Sequence, residues 1–224
     1  MSGLAERVLE AVFPRFCVSC QREGGLLCLA CDEGWNPERP RVLESKDEGV
    51  DCDISKLWAV LPYANPVARE LITSWKYNYD TSAWAILRRR LAPQIATLTL
   101  TLAMHKIEAI VPLPLMNQRR CERGFDQSVE IAEWLSKLTN LPVAHLLVRK
   151  HTAGHQADRT VDERLKAMMA SPFSLSTELC NAIPRRVLLV DDVWTTGATM
   201  SAGARTLKSG GVEEVFGFAL ARGK

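Results

Sequence analysis

The chain has 224 residues, 47% of them hydrophobic and 24% charged, with a formal net charge of +2, which excludes a disordered chain and is enough to bury a sizeable core. So mild a charge does not by itself demand a nucleic-acid partner. No apolar run approaches the roughly 18 residues of a membrane helix, and the start MSGLAERVLE lacks the basic and apolar regions of a signal peptide, so a soluble, cytoplasmic protein without membrane insertion is expected.

Leu4, Val8, Leu9 and Val12 recur at helical spacing and predict a short amphipathic helix that ends at Pro14. Two Cys-x-x-Cys pairs follow, Cys17 with Cys20 and Cys28 with Cys31, seven residues apart. In an intracellular chain such pairs favour a metal over disulfides. The loop between them, with Gly24 and Gly25, can fold back to complete a tetrahedral zinc site. Four thiolates leave no position for substrate water, so such a metal holds the module together and takes no part in chemistry. The alternative is four unrelated thiols, one pair of them redox-active. Cys52, Cys121 and Cys180 are expected to be free thiols. Only Arg15 and Arg22 are basic in or beside the module, which weakens the case for an independent grip on nucleic acid. Residues 32–55 are polar, hold two prolines and two glycines, show no sustained period and read as a linker. This divides the chain into a module over 1–55 and a main domain over 56–224.

Within the main domain, Leu57 to Tyr63 suits a strand, and Asn65 followed by Pro66 marks a helix start over 66–76. A second helix is expected over 81–96, where the run Arg88-Arg89-Arg90 reads as a solvated face. The TLTLTLAM tail is ambiguous between helix and strand. From there the pattern alternates: strand 107–111, helix 127–138, strand 145–148, helix 161–169, strand 187–190, helix 198–208 and strand 214–220. Strands separated by helices imply an α/β fold, a mostly parallel sheet with flanking helices, in which ligands bind beyond the carboxyl ends of the strands.

VLLVDDVWTTGATM, from Val187 to Met200, runs from a buried strand through two adjacent carboxylates into a turn and a helix start. A Walker B strand would need a glycine-rich phosphate loop with its lysine upstream, and none occurs. A phosphate-accepting pair of the signalling-receiver kind would lie early in its domain. A third reading is a ribose-phosphate site. Thr195, Thr196, Gly197, Ala198 and Thr199 offer backbone N–H groups and hydroxyls at a helix N-terminus, where the dipole favours an anion. Asp191 and Asp192 can accept from a vicinal diol, helped by a magnesium ion that arrives with the substrate. The bland alternative is an ordinary strand and turn, for which adjacent like charges would be a needless cost.

The segment resembles the signature of the type I phosphoribosyltransferases, which bind 5-phosphoribosyl-1-pyrophosphate. IVPLPLMNQRRCERGFDQS, from Ile110 to Ser128, is similar to the V-P-x-P and R-x-x-x-R-G-F-N-Q segment of the ComF family, competence-associated relatives that include the GntX-like proteins. That family joins a four-cysteine zinc module to a type I phosphoribosyltransferase fold, so the likeness covers nearly the whole chain. It implies Arg119 and Arg123 on the pyrophosphate, Lys76 and Tyr77 closing over the site, and a mobile loop with Gln156 and Arg164. Asp126 replaces the family's usual Asn and is not expected to touch pyrophosphate, because its charge would oppose binding. His155 is inserted in the loop and reads as solvated, and Trp194 stands where an aliphatic residue is usual. The resemblance implies a glycosyltransferase of unknown acceptor or a non-catalytic protein of competence-type DNA uptake that binds single-stranded DNA or senses a ligand. Whether the chain pairs as a homodimer is left open.

Overall fold

A computed structural model of the chain describes residues 14–37, 41–44, 53–78, 80–115, 125–150, 171–176 and 183–223. The expected helices over 4–13 and 161–169 lie outside the described residues, as do Cys52, Cys121, Cys180, Arg119, Arg123, His155, Gln156 and Arg164.

The elements in chain order are α1 (Leu29–Gly34), β1 (Arg41–Glu44), β2 (Lys56–Pro62), α2 (Pro66–Tyr77), α3 (Thr81–Met104), β3 (Ala109–Pro112), α4 (Gln127–Thr139), β4 (Leu147–Arg149), β5 (Phe173–Leu175), β6 (Arg186–Trp194), α5 (Ala198–Ser209) and β7 (Glu214–Arg222). Five strands form one sheet in the order β1-β2-β7-β6-β3. β2, β7, β6 and β3 run parallel, and β1 adds to the edge antiparallel to β2. The apolar runs of β2, β6 and β7 suit strands buried on both faces. On one face α2, α3 and α4 bring Ile72, Trp75, Leu87, Leu91 and Leu135 against Trp58, Val190, Phe216 and Phe218. On the other, α5 and the separate β4–β5 pair pack Met200, Leu207 and Phe173 against Val111, Leu189 and Val215. This is the mostly parallel α/β architecture that the sequence implies.

Local capping chemistry explains several boundaries. Asn65 accepts from the Ala68 N–H at 3.0 Å and Pro66 opens α2, as the sequence predicts. Asp80 caps α3 through the Ser82 N–H at 2.9 Å.

The structure settles one open reading and departs from expectation in three places. TLTLTLAM is the last third of α3: Leu91, Ile95, Leu98 and Leu102 are buried while Leu100 is exposed, so tertiary burial at helical spacing overrides the strand-like alternation. The expected linker contributes β1, four residues long, too short for a period to register. The strand over 145–148 starts later, at Leu147, and pairs with β5 outside the main sheet. Finally, β6 does not stop at Val190 but continues through the acidic pair to Trp194.

The arginine run is a solvated face at Arg88 and Arg89, but Arg89 and Arg90 also make contacts that the sequence does not foretell. Asp32, 6% exposed at α1, meets the Arg89 guanidinium at 2.6 Å and that of Arg90 at 3.7 Å. Arg90 also donates to the Trp35 carbonyl, and Gln94 donates to the Pro37 carbonyl at 3.0 Å. At the other end of α3, Arg15 pairs with the capping Asp80 at 3.3 Å and donates to Ser82 Oγ at 3.0 Å. Val18, Leu26, Leu27 and Trp35 pack into the same core as α2 and α3. Arg89 and Arg90 therefore tie the four-cysteine module to α3, Arg90 partly buried and Arg89 still 60% exposed, while Arg88 is exposed and lies over the Trp84 ring at 5.5 Å. Asp32→Ala is expected to destabilise the protein by about 1–3 kcal/mol, read as a shifted denaturant midpoint. Arg185→Ala, which loses an exposed pair with Glu213, should change it by less than about 1 kcal/mol.

Candidate functional site

Parallel strands point their carboxyl ends to one edge of the sheet, and there β6 delivers Asp191, Asp192 and Trp194 into the turn that opens α5. Gly197 is the N-cap, with φ of 76°, a left-handed backbone that glycine adopts without the cost of a Cβ. Thr195, Thr196, Ala198 and Thr199 are exposed around it. With Asp191, Val193, Trp194 and Met200 they line a pocket whose empty volume is about 210 Å³, open solvent included. Dipole and N-terminal amides of a 12-residue helix make this end suited to an anion.

Neighbouring residues on a strand face opposite sides of the sheet, and the acidic pair obeys this. Asp191 lines the pocket beside α5. Asp192 meets Lys76 of α2, on the opposite face, with Nζ 2.7 Å from Oδ2 and both side chains nearly buried. The two carboxylates thus have different neighbours, a distinction that their adjacency in the sequence does not show. Asp191 Oδ1 accepts the Asp192 backbone N–H at 2.8 Å. Burial, then the charge of Asp192, pushes the Asp191 carboxyl up to about 7; that hydrogen bond and Lys76 oppose the shift, and Asp126 adds to it.

Lys76 reaches the site because α2 is held on both sides. Trp75 stacks on Trp84 of α3 with centroids 4.5 Å apart and rings 8° from parallel, and its indole N–H donates to Glu130 of α4 at 3.0 Å. Burial pushes the Glu130 carboxyl up from its ordinary value, and the Trp75 N–H pulls it back. Tyr77, the next residue, is 58% exposed. The W-K-Y stretch hinted at Lys76, but its pairing with Asp192 crosses from one element to another and leaves no local signal.

Asp126 is the N-cap of α4: Oδ1 accepts from the Ser128 N–H at 3.0 Å, and Oδ2 from the Leu115 N–H at 3.2 Å. It ties the end of the β3 segment to the helix through both oxygens; an Asn could cap the helix but has one acceptor oxygen for the two N–H groups. Trp194 is 4% exposed and belongs to the core beneath the turn with Leu43, Ile54, Leu57 and Met200, so its bulk is structural filling under α5.

At the N-terminal module, one ligand atom from each of Cys17, Cys20, Cys28 and Cys31 lies within 4.8 Å of the others. The Cys20 and Cys28 sulfurs are 3.6 Å apart, near the roughly 3.8 Å edge of a tetrahedron with Zn–S of ~2.3 Å. The set fits a metal such as zinc. Burial pushes the Cys17 thiol up, but backbone N–H groups of Cys28, Cys20 and Ser19 more than offset it and bring it to about 6, favouring the thiolate that a metal requires.

The raised Asp191 pKa has a stability consequence. Its folded value of about 7 exceeds the ordinary 3.8, so its contribution is fully present below about pH 4 and is lost as pH rises through about 7. Asp191→Asn keeps the acceptor for the Asp192 N–H and never ionises. The ligand-free variant should match wild type near pH 4 and exceed it at pH 8 by at least about 1 kcal/mol, or roughly 2–4 °C in Tm. A thermal-melt series from pH 4 to 8 checks this, and a gap that does not grow with pH contradicts it.

No protein-family model matches the chain. It is 36% identical over 117 residues to competence protein F of Haemophilus influenzae, a match covering 51% of this chain and 50% of that protein. It is 32% identical over 114 residues to competence protein ComFC of Bacillus subtilis, covering 50% and 44%. The chain thus spans about half the length of these two curated relatives. A third relative, competence protein ComFC of Streptococcus pneumoniae, is 24% identical over 216 residues, 90% of each chain. Among solved structures, a purine phosphoribosyltransferase from Pyrococcus horikoshii aligns at 16% identity and a TM-score of 0.35, over 60% of this chain and 82% of that one. Among the described residues no helix is long and apolar enough to cross a membrane. In its likeness to a ComFC over 90% of its length, its four-cysteine N-terminal cluster and its mostly parallel sheet ending in an acidic strand, this chain is similar to the competence proteins F and ComFC.

Proposed function

We propose that the protein binds 5-phosphoribosyl-1-pyrophosphate at the end of β6 and transfers or releases its phosphoribosyl group with loss of pyrophosphate, in the manner of type I phosphoribosyltransferases. The observation that carries this reading is that Asp191 and residues Thr195 to Thr199 line one pocket, so a carboxylate for a diol and a turn for a phosphate share a wall. The 5-phosphate sits on the turn, where N–H groups and hydroxyls meet the helix dipole. Asp191 accepts from the ribose hydroxyls, and the donors it gains draw its pKa back toward the ordinary range.

Displacement of pyrophosphate leaves positive charge on the ribose ring, and Asp191 stands on the side where that charge develops. Asp192 keeps Lys76 within 2.7 Å, supplying a cation beside a polyanionic ligand. Arg119 and Arg123, by resemblance, grip the pyrophosphate with their guanidinium forks, and the loop with Gln156 and Arg164 excludes water. A magnesium ion would neutralise the departing pyrophosphate when bound, and Asp191 and Asp192 are the carboxylates that the end of β6 offers it. Asp192 is committed to Lys76, so the metal is held by the ligand more than by a protein cage. The four-cysteine module takes zinc as a structural metal.

A second reading follows from the relatives, which carry the name of competence proteins. The fold then serves single-stranded DNA handling, with the phosphoribosyl ligand or its absence as a signal. The two readings separate by experiment. Calorimetry with phosphoribosyl pyrophosphate and magnesium should show saturable binding that Asp191→Asn combined with Asp192→Asn weakens by at least about 100-fold; unchanged affinity rejects the site. Pyrophosphate release in the presence of a panel of bases and amines identifies a transferase. A salt-dependent gel shift with single-stranded DNA, unaffected by the double variant, supports the second reading.

A further inference from the structure

Arg222 ends β7 and pairs in register with Trp194, the last residue of β6 before the turn. Its guanidinium carbon lies 5.3 Å from the centroid of the Trp194 ring, the distance at which an aromatic face holds a cation. Gly223 fastens the strand end to the turn. Its N–H donates to the Trp194 carbonyl at 2.7 Å, and a Cβ added there would meet Thr195 Cγ2 at 3.1 Å. Trp194 itself forms part of the pocket wall with Thr195 to Met200. Its indole N–H is buried and has no acceptor among the described residues, so packing and the cation on its face are what hold the ring.

Most basic side chains near the ends of the sheet face a carboxylate: Lys76 faces Asp192, Arg185 faces Glu213, Arg186 faces Glu214 and Lys208 faces Asp53. Arg222 has no carboxylate partner among the described residues and is partly buried. Beside it opens the N-terminus of α5, which has the same electrostatic sign. Two uncompensated positive features at one rim of a pocket are complementary to an anion.

We propose that Arg222, positioned by the face of Trp194, is an anion-binding residue of the turn, and that its ligand is a phosphate monoester. The proposal rests on residues 195–199 being a phosphate turn. A guanidinium held over an indole ring is pre-organised, so less side-chain freedom is lost when it grips phosphate oxygens than a lysine would lose. This also gives Trp194 a use that an aliphatic residue at the same position cannot supply.

The test is calorimetric titration of the full-length, metal-loaded protein with ribose 5-phosphate, which carries the monoester and no pyrophosphate. Arg222→Met keeps the stem over the ring and should weaken affinity by about tenfold or more, with an unchanged Tm and a shallower salt dependence. Arg222→Lys, which keeps the charge without the planar fork, should fall between the two. Trp194→Leu should weaken affinity while Arg222 remains in place, provided its melt shows a folded protein. Wild-type affinity in a folded Arg222→Met overturns the role of Arg222 and leaves the turn as the site. No binding by the wild type overturns both.

Discussion

The arrangement depends on one ion pair, Lys76 with Asp192. Adjacent carboxylates at the end of a buried strand repel each other, and a sheet edge gives them little water to relieve the cost. Because a strand alternates, a single cation on the α2 face can neutralise Asp192 while leaving Asp191 turned toward α5. Such a nearly buried pair is weak evidence for stability, since desolvation can cancel the attraction. Its value lies in what it leaves behind: one carboxylate engaged, and one next to the pocket with its pKa raised toward neutrality.

Much of the rest of the molecule serves to put Lys76 in that place. α2 carries it, Trp75 clamps α2 to Trp84 of α3 and to Glu130 of α4, and α3 is in turn gripped by the N-terminal module through Asp32, Trp35 and Arg15. The module reaches the ligand edge only through this succession of packed helices. Its four thiols sit where a metal would stiffen the loops that present Asp32 and Trp35, so the metal acts on the site through packing and supplies no reacting atom.

What could be read from the sequence was the local chemistry. Asn65 before Pro66 is a helix start in any context, and Thr195 to Thr199 around Gly197 is a turn whose donors belong to its own backbone. Paired Cys-x-x-Cys motifs carry their geometry in their spacing. What could not be read depended on partners distant in the chain. The alternation of TLTLTLAM favoured a strand as much as a helix until the core chose Leu98 and Leu102. Arg89 and Arg90 read as solvated charges, and nothing local shows that Asp32 of the N-terminal module pairs with both. Nothing local in VLLVDDVW tells a strand that stops at Val190 from one that runs on, because its last pairs are made with Ala221 and Arg222 of β7.

The replacement of the expected Asn by Asp126 shows how such a site can carry a departure at small cost. As a cap, Asp126 accepts the Ser128 N–H on one oxygen and the Leu115 N–H on the other; an Asn could keep the cap but has one amide oxygen for the two donors. The charge of Asp126 reaches Asp191 and raises its pKa further. The ligand-free pocket therefore favours a protonated Asp191 more than an Asn at 126 would allow. Under the proposed function, an incoming diol and the cations that accompany its phosphates must draw that proton off, so binding at neutral pH would be coupled to proton release. The extra carboxylate thus adds to a shift of Asp191 that burial and the charge of Asp192 dominate.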